Sequence, residues 1–259
     1  MASGLSDREL AERAVRAGGE QALALAGGDL DVRAKSSPAD LVSAADRASE
    51  DAIVAILRAE RPDDAVTGEE GASVAGSSRR WLVDGLDGTF NFLRGIPQWC
   101  VAVVLERDGE PLACAVFDPI RDELYSAARG AGAHRDGAAL RVRDGAPLRA
   151  AVVSSFLRED KLRGSDAVDG FGRLARAVAL LRMGGAGSLE LAWLAAGRTD
   201  AWTQPNVDEW DWLPGRLLVE EAGGRTAVID GDPLRWHVAA AHGTFDELRA
   251  VLTAPADAQ

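Results

Sequence analysis

In Trp81-Leu-Val-Asp84-Gly-Leu-Asp87-Gly88-Thr89-Phe-Asn91-Phe92, a short apolar run ends in two carboxylates. Gly88 and Thr89 follow at once, where a helix could begin. Carboxylates at a strand end are well placed to hold hard divalent cations. Free N–H groups at a helix start are well placed to hold a phosphate. Together they point to metal-assisted chemistry on a phosphate ester. The plainer alternative is an Asp-Gly turn with solvated carboxylates, and such turns recur in this chain.

Two phosphatase patterns compete for the segment. Enzymes of the haloacid-dehalogenase type carry Asp-x-Asp-x-Thr, with the first Asp as nucleophile. Here the residue two before Asp87 is Gly85, and the spacing is Asp-x-x-Asp. A one-residue slip turns a strand residue to the other face, which argues against that reading. The string instead resembles the Trp-x-x-Asp-Pro-x-Asp-Gly-Thr-x-Asn-Phe signature of the inositol monophosphatase family. Gly85 replaces the usual Pro and is expected mainly to loosen the turn. Further similarities follow in family order. Lys35-Ser-Ser-Pro-Ala-Asp40 with Leu41 to Asp46 looks like the family's mobile N-terminal loop and the helix after it. Gly68-Glu69-Glu70 looks like its metal segment, and Trp210-Asp211 with Glu221-Ala-Gly-Gly224 like its C-terminal helix. Separated motifs in the right order are far more specific than any one alone.

The resemblance implies a layered αβαβα sandwich, an α+β fold of the inositol monophosphatase and fructose-1,6-bisphosphatase type. It implies two or three Mg²⁺ ions. Glu69, Asp84 and the Leu86 carbonyl would hold one, and Asp84, Asp87 and Asp211 another. A third would sit near Glu69, largely through waters, as suits Mg²⁺. Thr89, assisted by Asp46, would orient and deprotonate the attacking water, with Glu69 also in the catalytic set. Asp87, Gly88, Thr89, Gly185, Ala186, Gly187 and Gln204 would contact the substrate. Inositol-preferring relatives carry Glu where this chain has Gln204; the amide keeps an acceptor, adds a donor and removes a charge. The expected reaction is hydrolysis of a small phosphate monoester by metal-activated water. Candidate substrates are inositol phosphate, a sugar phosphate, histidinol phosphate or a nucleotide. Rivals are a 3′-phosphoadenosine 5′-phosphate type nucleotide phosphatase and a mainly non-catalytic binding protein, since some bacterial relatives associate with transcription machinery. A homodimer and lithium inhibition are further family expectations.

The same residues have plainer readings one at a time. Asp46 could lie on a solvated helix face, Glu69 and Glu70 in a charged loop, and Asp211 at a helix start favoured by the macrodipole. His134, His237 and His242 show no ligand spacing and read as structural or exposed. Met183-Gly-Gly-Ala-Gly-Ser188 is not a dinucleotide fingerprint, because no spaced acidic ribose partner follows.

The elements that must position these residues read from capping and periodicity. Ser6-Asp-Arg-Glu9 predicts a capping box opening a helix that stops near Gly27-Gly28. Ser43 to Glu60 predicts a second helix with Ile53, Ile56 and Leu57 on one face. Ala65 to Thr67 and Trp81 to Val83 read as strands, with a Gly/Ser-rich loop between them to Ser78. Val101 to Leu105 and Leu112 to Phe117 form a hairpin around Asp108-Gly109, and Leu124 to Ala127 extends the sheet with turns at Asp136-Gly137 and Asp144-Gly145. After Ala150, strands (151–156, 180–183, 200–203, 226–229, 238–241) alternate with helices (171–177, 188–196, 210–221), and Thr244-Phe-Asp-Glu247 predicts a last capping box. Pro214 is expected in a helix's first turn, where a missing N–H costs little. One domain over 1–259 is expected, with an antiparallel half to about 150 and an alternating half from 151 sharing one cleft.

Composition sets outer limits. The 259 residues are 47% hydrophobic, ample for a core, with net charge −12. That charge argues against nucleic acid as the main partner, while metal ions still allow phosphate binding. Cys100 and Cys114 lie in apolar runs and read as buried thiols. With no apolar export segment and no membrane-length run, a cytoplasmic location off the membrane is expected.

Overall fold

Two serines start the first two helices as predicted. The computed structural model describes residues 4–28, 30–34, 41–157, 165–230 and 234–254. The Ser6 Oγ accepts from Glu9 N, and Glu9 answers to Ser6 N at 2.8 Å, opening α1 (Asp7–Leu25). Ser43 and Asp46 form the same reciprocal cap on α2 (Ala44–Glu60). Leu10, Ala14, Ile53 and Leu57 are fully buried. Before α2, the chain pairs β1 (Arg33–Ala34) with β2 (Leu41–Val42). The Lys35-to-Asp40 loop lies outside the described residues.

Beneath α1 and α2 lies an eight-stranded sheet. Its strands are β3 (Ala65–Gly68), β4 (Ser73–Val74), β5 (Arg79–Asp87), β6 (Cys100–Arg107), β7 (Glu110–Asp118), β8 (Glu123–Ala128), β9 (Ala133–Arg135) and β10 (Ala138–Ala139). Their order is β10-β9-β8-β7-β6-β5-β3-β4, antiparallel except for β3 beside β5. Both central residues of the β6–β7 turn, Asp108 and Gly109, have positive φ (56° and 81°), as a two-residue hairpin with right-handed twist requires. Alternation divides the side chains between two cores. Trp81, Val83, Val101, Val103 and Leu105 face α1 and α2, whereas Leu82, Ala102 and Val104 face the molecule's centre.

The short α3 (Thr89–Leu93) follows β5. A second, five-stranded sheet contains β11 (Val152–Ser155), β12 (Leu180–Arg182), β13 (Ala201–Pro205), β14 (Arg225–Asp230) and β15 (Arg235–Ala240), in order β12-β11-β13-β15-β14. β12, β11 and β13 run parallel, while β15 is antiparallel to both its neighbours. α4 (Ser165–Ala177) and α7 (His242–Thr253) contact each other on its outer side. α5 (Gly187–Ala195) and α6 (Glu209–Glu221) fill the space between the two sheets. Every residue of α5 from Ser188 to Ala195 is buried, as a helix packed on all sides must be. The layers therefore run helices, sheet, helices, sheet, helices: the expected α+β sandwich.

Several local expectations need correction. β5 continues past Val83 to Asp87, and β4 interrupts the loop before Ser78. Gly85 does not loosen a turn. It lies inside β5, and a Cβ there would meet Asp46 O at 2.7 Å and Glu50 N at 2.9 Å, so the missing side chain admits α2. Asp144-Gly145 makes no hairpin; Gly145 packs against the backbone of Gly243 and Thr244. The last helix starts at His242, so Thr244 does not cap it. Instead Thr244 Oγ1 donates to Ala146 O at 2.7 Å, and Glu247 accepts from Leu148 N at 2.9 Å. The fourth helix begins at Ser165 rather than Phe171. Pro214 falls beyond the first turn, inside α6, where it is buried and its carbonyl accepts from Cys114 Sγ at 3.3 Å. Both thiols are free and buried. His134 bonds Arg8, and His237 packs edge-on to Trp212 at 5.1 Å with its pKa pushed down to about 4, chiefly by burial.

Candidate active site

The end of β5 breaks its own register between Asp84 and Asp87. In a regular strand, residues three apart face opposite sides. The irregularity lets both carboxylates line one cleft of about 410 Å³. Gly88 follows at φ +97°, and a side chain there would press on Gln98 O at 3.1 Å and Ala186 Cβ at 3.2 Å. This left-handed residue turns the chain directly into α3, setting Thr89 beside the aspartates.

Asp84, Asp87 and Asp211 offer oxygen atoms that all lie within 4.8 Å of one another. Asp211 reaches them from the first turn of α6. Asp84 is 1% exposed; its Oδ1 accepts from Leu86 N at 2.9 Å, and its Oδ2 is buried without a hydrogen-bond partner. Burial first, then the charges of Glu69, Asp87 and Asp211, hold the Asp84 carboxyl well above the usual carboxylate range. Burial also pushes Asp87 up to about 6, against the hydrogen bond from Ser188 N at 2.6 Å. A dense all-oxygen cluster that strains to stay ionised, with one oxygen unpartnered, is chemically suited to hard divalent cations.

Glu69 lines the same cleft but stands outside this tight trio. It follows β3, and its N–H donates to Val83 O at 3.1 Å. The Leu86 carbonyl accepts from Thr89 Oγ1 at 3.2 Å. The same hydroxyl donates to Asp46 Oδ1 at 2.8 Å, while Asp46 Oδ2 is fixed by Ser43 N and Oγ. Asp46 is only 1% exposed, so its cap doubles as the anchor for Thr89. Gly185, Gly187 and Gln204 line the cleft with Gly88 and Thr89. Ala186 does not: its buried side chain turns away from the cleft and packs behind Gly88.

Three supporting residues escape a reading of motifs. Glu50, one turn after Asp46 on α2 and 4% exposed, accepts from Glu70 N at 2.8 Å and Ala72 N at 2.9 Å. It thereby holds the turn that carries Glu69. Its spacing from Asp46, four residues along one helix, was the available signal. Ser188 donates its N–H to Asp87 and its hydroxyl to Asp211 O at 3.3 Å, tying two of the trio together. Glu190, buried on α5, accepts from Gly184 N at 2.9 Å and is pushed up to about 8 by burial.

A model of the inositol monophosphatase family matches residues 6–255. The chain belongs to the inositol monophosphatase family. It is 41% identical over 199 residues to the inositol-1-monophosphatase of Rhizobium meliloti, covering 75% of this chain and 74% of that protein. It is 39% identical over 199 residues to Nus factor SuhB of Pseudomonas aeruginosa, covering 74% and 73%. Among solved structures, the extragenic suppressor protein suhB of Bartonella henselae superposes with a TM-score of 0.88 at 32% identity, over 94% of this chain and 97% of that one. An inositol monophosphatase from Anabaena superposes at 0.84 with 27% identity, over 96% of each chain. The family's relatives thus share the layered fold as well as the sequence.

Proposed function

We propose that this chain is a Mg²⁺-dependent phosphomonoesterase acting on a small phosphorylated alcohol. The observation that carries the reading is the convergence of Asp84, Asp87 and Asp211 beside a Thr89 hydroxyl already oriented by buried Asp46. Asp84, Asp87 and Asp211, with Glu69 and the Leu86 carbonyl, would hold the two or three cations. When bound, these supply positive charge and Lewis acidity toward phosphate and water. Thr89 Oγ1 takes the proton of the attacking water while passing its own toward Asp46 Oδ1. The N–H groups of Gly88 and Thr89, where the chain turns into α3, donate to the phosphate oxygens. Asp87 stays aimed because Ser188 N holds one of its oxygens. The alcohol leaves past Gly185, Gly187 and Gln204, which line the same cleft.

The nucleotide bisphosphatase rival has less support. A second phosphate needs its own cation, and no Lys, Arg or His lines the cleft among the described residues. A Nus-factor role is the second reading, favoured by the names of the SuhB relatives. The intact carboxylate set favours hydrolysis. Mg²⁺-dependent phosphate release from a panel of monoesters is the test. Asp87→Asn should lower it by roughly 10²-fold or more, and a transcription-binding role would survive that substitution. Wild-type turnover in Asp87→Asn would overturn the metal assignment. A homodimer, proposed on family grounds alone, is checked by light scattering.

A further inference from the structure

The Gly88–Thr89 turn and the Gly184–Gly187 turn are far apart in sequence but touch in the fold. A Cβ on Gly88 would lie 3.2 Å from Ala186 Cβ. Three of the four residues Gly184-Gly185-Ala186-Gly187 are glycine, and Gly185 has a φ of +79°. Glycines lose the most freedom on ordering, so the shape of such a turn must be imposed by its neighbours.

Both polar backbone groups of Gly184 are held by side chains. Its N–H donates to Glu190 Oε1 at 2.9 Å, and its carbonyl accepts from Asn91 Nδ2 at 2.7 Å. The same Asn91 Nδ2 donates to Gln98 O at 2.6 Å. Gln98 O is also the atom that a Gly88 side chain would meet, at 3.1 Å. Asn91 lies in α3, two residues after Thr89, so one amide ties the two turns together. It runs on beneath Gly185, where a Cβ would lie 3.6 Å from Nδ2. A side chain on Gly184 would collide with Gln98 and Glu190, which grip that residue from the protein side. Glu190 is fully buried. An apolar residue in its place would leave the Gly184 N–H without this acceptor, and an unmet buried donor is costly. Ser188, which holds Asp87, belongs instead to the first turn of buried α5.

We propose that Asn91 and Glu190 are positioning residues: by clamping Gly184 at both backbone groups they set the Gly184–Gly187 turn against Gly88 and Thr89, and so fix where the substrate's alcohol sits relative to its phosphate. A turn ordered in advance adds no ordering cost when substrate binds. The inference rests on the phosphatase reading for what the turn contacts.

The test compares inositol 1-phosphate, whose alcohol reaches past the phosphate site, with methyl phosphate, whose alcohol is a single carbon. Asn91→Ala and Glu190→Ala should each raise KM for inositol 1-phosphate by roughly tenfold, the scale of one lost hydrogen bond. KM for methyl phosphate, and the Mg²⁺ concentration for half-maximal activity, should stay within about twofold, because Ser188 still holds Asp87. Glu190→Gln, which keeps an acceptor for Gly184 N, should restore the parent KM. Asn91 lines the cleft but Glu190 does not, so a shared effect marks the clamp rather than lost contact with substrate. Equal losses on both esters, or no loss on either, overturn the proposal. Hydrogen exchange in the free protein separates the two readings. Amides 184–187 should exchange roughly tenfold faster in Asn91→Ala, with the interior of α5 unchanged. Unchanged exchange at the turn overturns the clamp. Faster exchange there, in a chain whose parent turns over no monoester, sinks the phosphatase reading and keeps the clamp.

Discussion

In the proposed mechanism, Thr89 is the residue on which the chemistry turns. Its hydroxyl has one proton and two acceptors, Asp46 Oδ1 at 2.8 Å and the Leu86 carbonyl at 3.2 Å. Thr89 also lines the cleft. Thr89→Ala should lower kcat by roughly 10²-fold or more, with Thr89→Ser retaining most activity, because positioned proton transfer carries about that factor. Steady-state kinetics at saturating Mg²⁺ decides it; an active Thr89→Ala would remove Thr89 from the mechanism. Glu190 makes a different prediction. Its folded pKa of about 8 lies above the ordinary 4.5. The folded state therefore keeps a proton that the unfolded state has lost, and stability falls as pH rises from about 4.5 to about 8. Glu190→Gln, neutral throughout, escapes that loss. Its melting temperature relative to the parent should climb between pH 5 and pH 8, roughly the window those values define. A constant difference would show that the parent carboxyl is not held protonated.

At the scale of elements, α2 is the strut of the site. One face carries Asp46, which orients Thr89, and one turn later Glu50, which holds the Glu69 turn. Gly85 lets the helix approach the strand that bears Asp84 and Asp87. Glu50→Ala should therefore raise the Mg²⁺ concentration for half-maximal activity by roughly tenfold, the usual scale for losing a supporting hydrogen bond behind a metal ligand. Glu50→Gln, which keeps one acceptor oxygen, should shift it less. Titration calorimetry with Mg²⁺ checks the affinity without relying on turnover. Unchanged affinity in both variants would reduce Glu50 to a packing role.

For the whole molecule, carboxylate crowding links fold to metal. The chain carries a net charge of −12, and its densest described acidic cluster sits partly buried in the cleft. Asp87, at about 6 when folded against an ordinary 3.8, binds its proton more tightly in the folded state. Without metal, stability should thus decline as pH rises between about 4 and about 6. Under the proposed function, Mg²⁺ would bind the ionised form and reverse that decline, by about 2.7 kcal/mol at a hundredfold excess over Kd. Thermal melts with Mg²⁺ or with chelator check this. The expected Mg²⁺ gain is large at pH 7 and much smaller at about pH 4, where Asp84 and Asp87 hold their protons. A gain independent of pH would place the cation elsewhere. No helix among the described residues is long and apolar enough to cross a membrane.

Local chemistry wrote much of this into the chain. The Ser6 cap, the second helix from Ser43, the Asp108-Gly109 hairpin and the Asp84-to-Thr89 string were legible because each depends on residues a few positions apart. The apolar runs of β5 and β6 were legible as strands, but only the packing divides their alternate side chains between two cores. What the tertiary structure decided involves residues far apart in sequence. The Thr244 hydroxyl serves Ala146 instead of capping its helix, and Pro214, buried inside α6, turns its carbonyl to the Cys114 thiol of β7. Ala186 lies behind the cleft, whereas Glu50 and Ser188, silent in the motif, hold the segments that bear the acidic groups. A motif names the carboxylates; only packing fixes which backbone amides reach them and which side chains line the cleft beside them. Those contacts depend on where α2 and α5 come to rest against the two sheets.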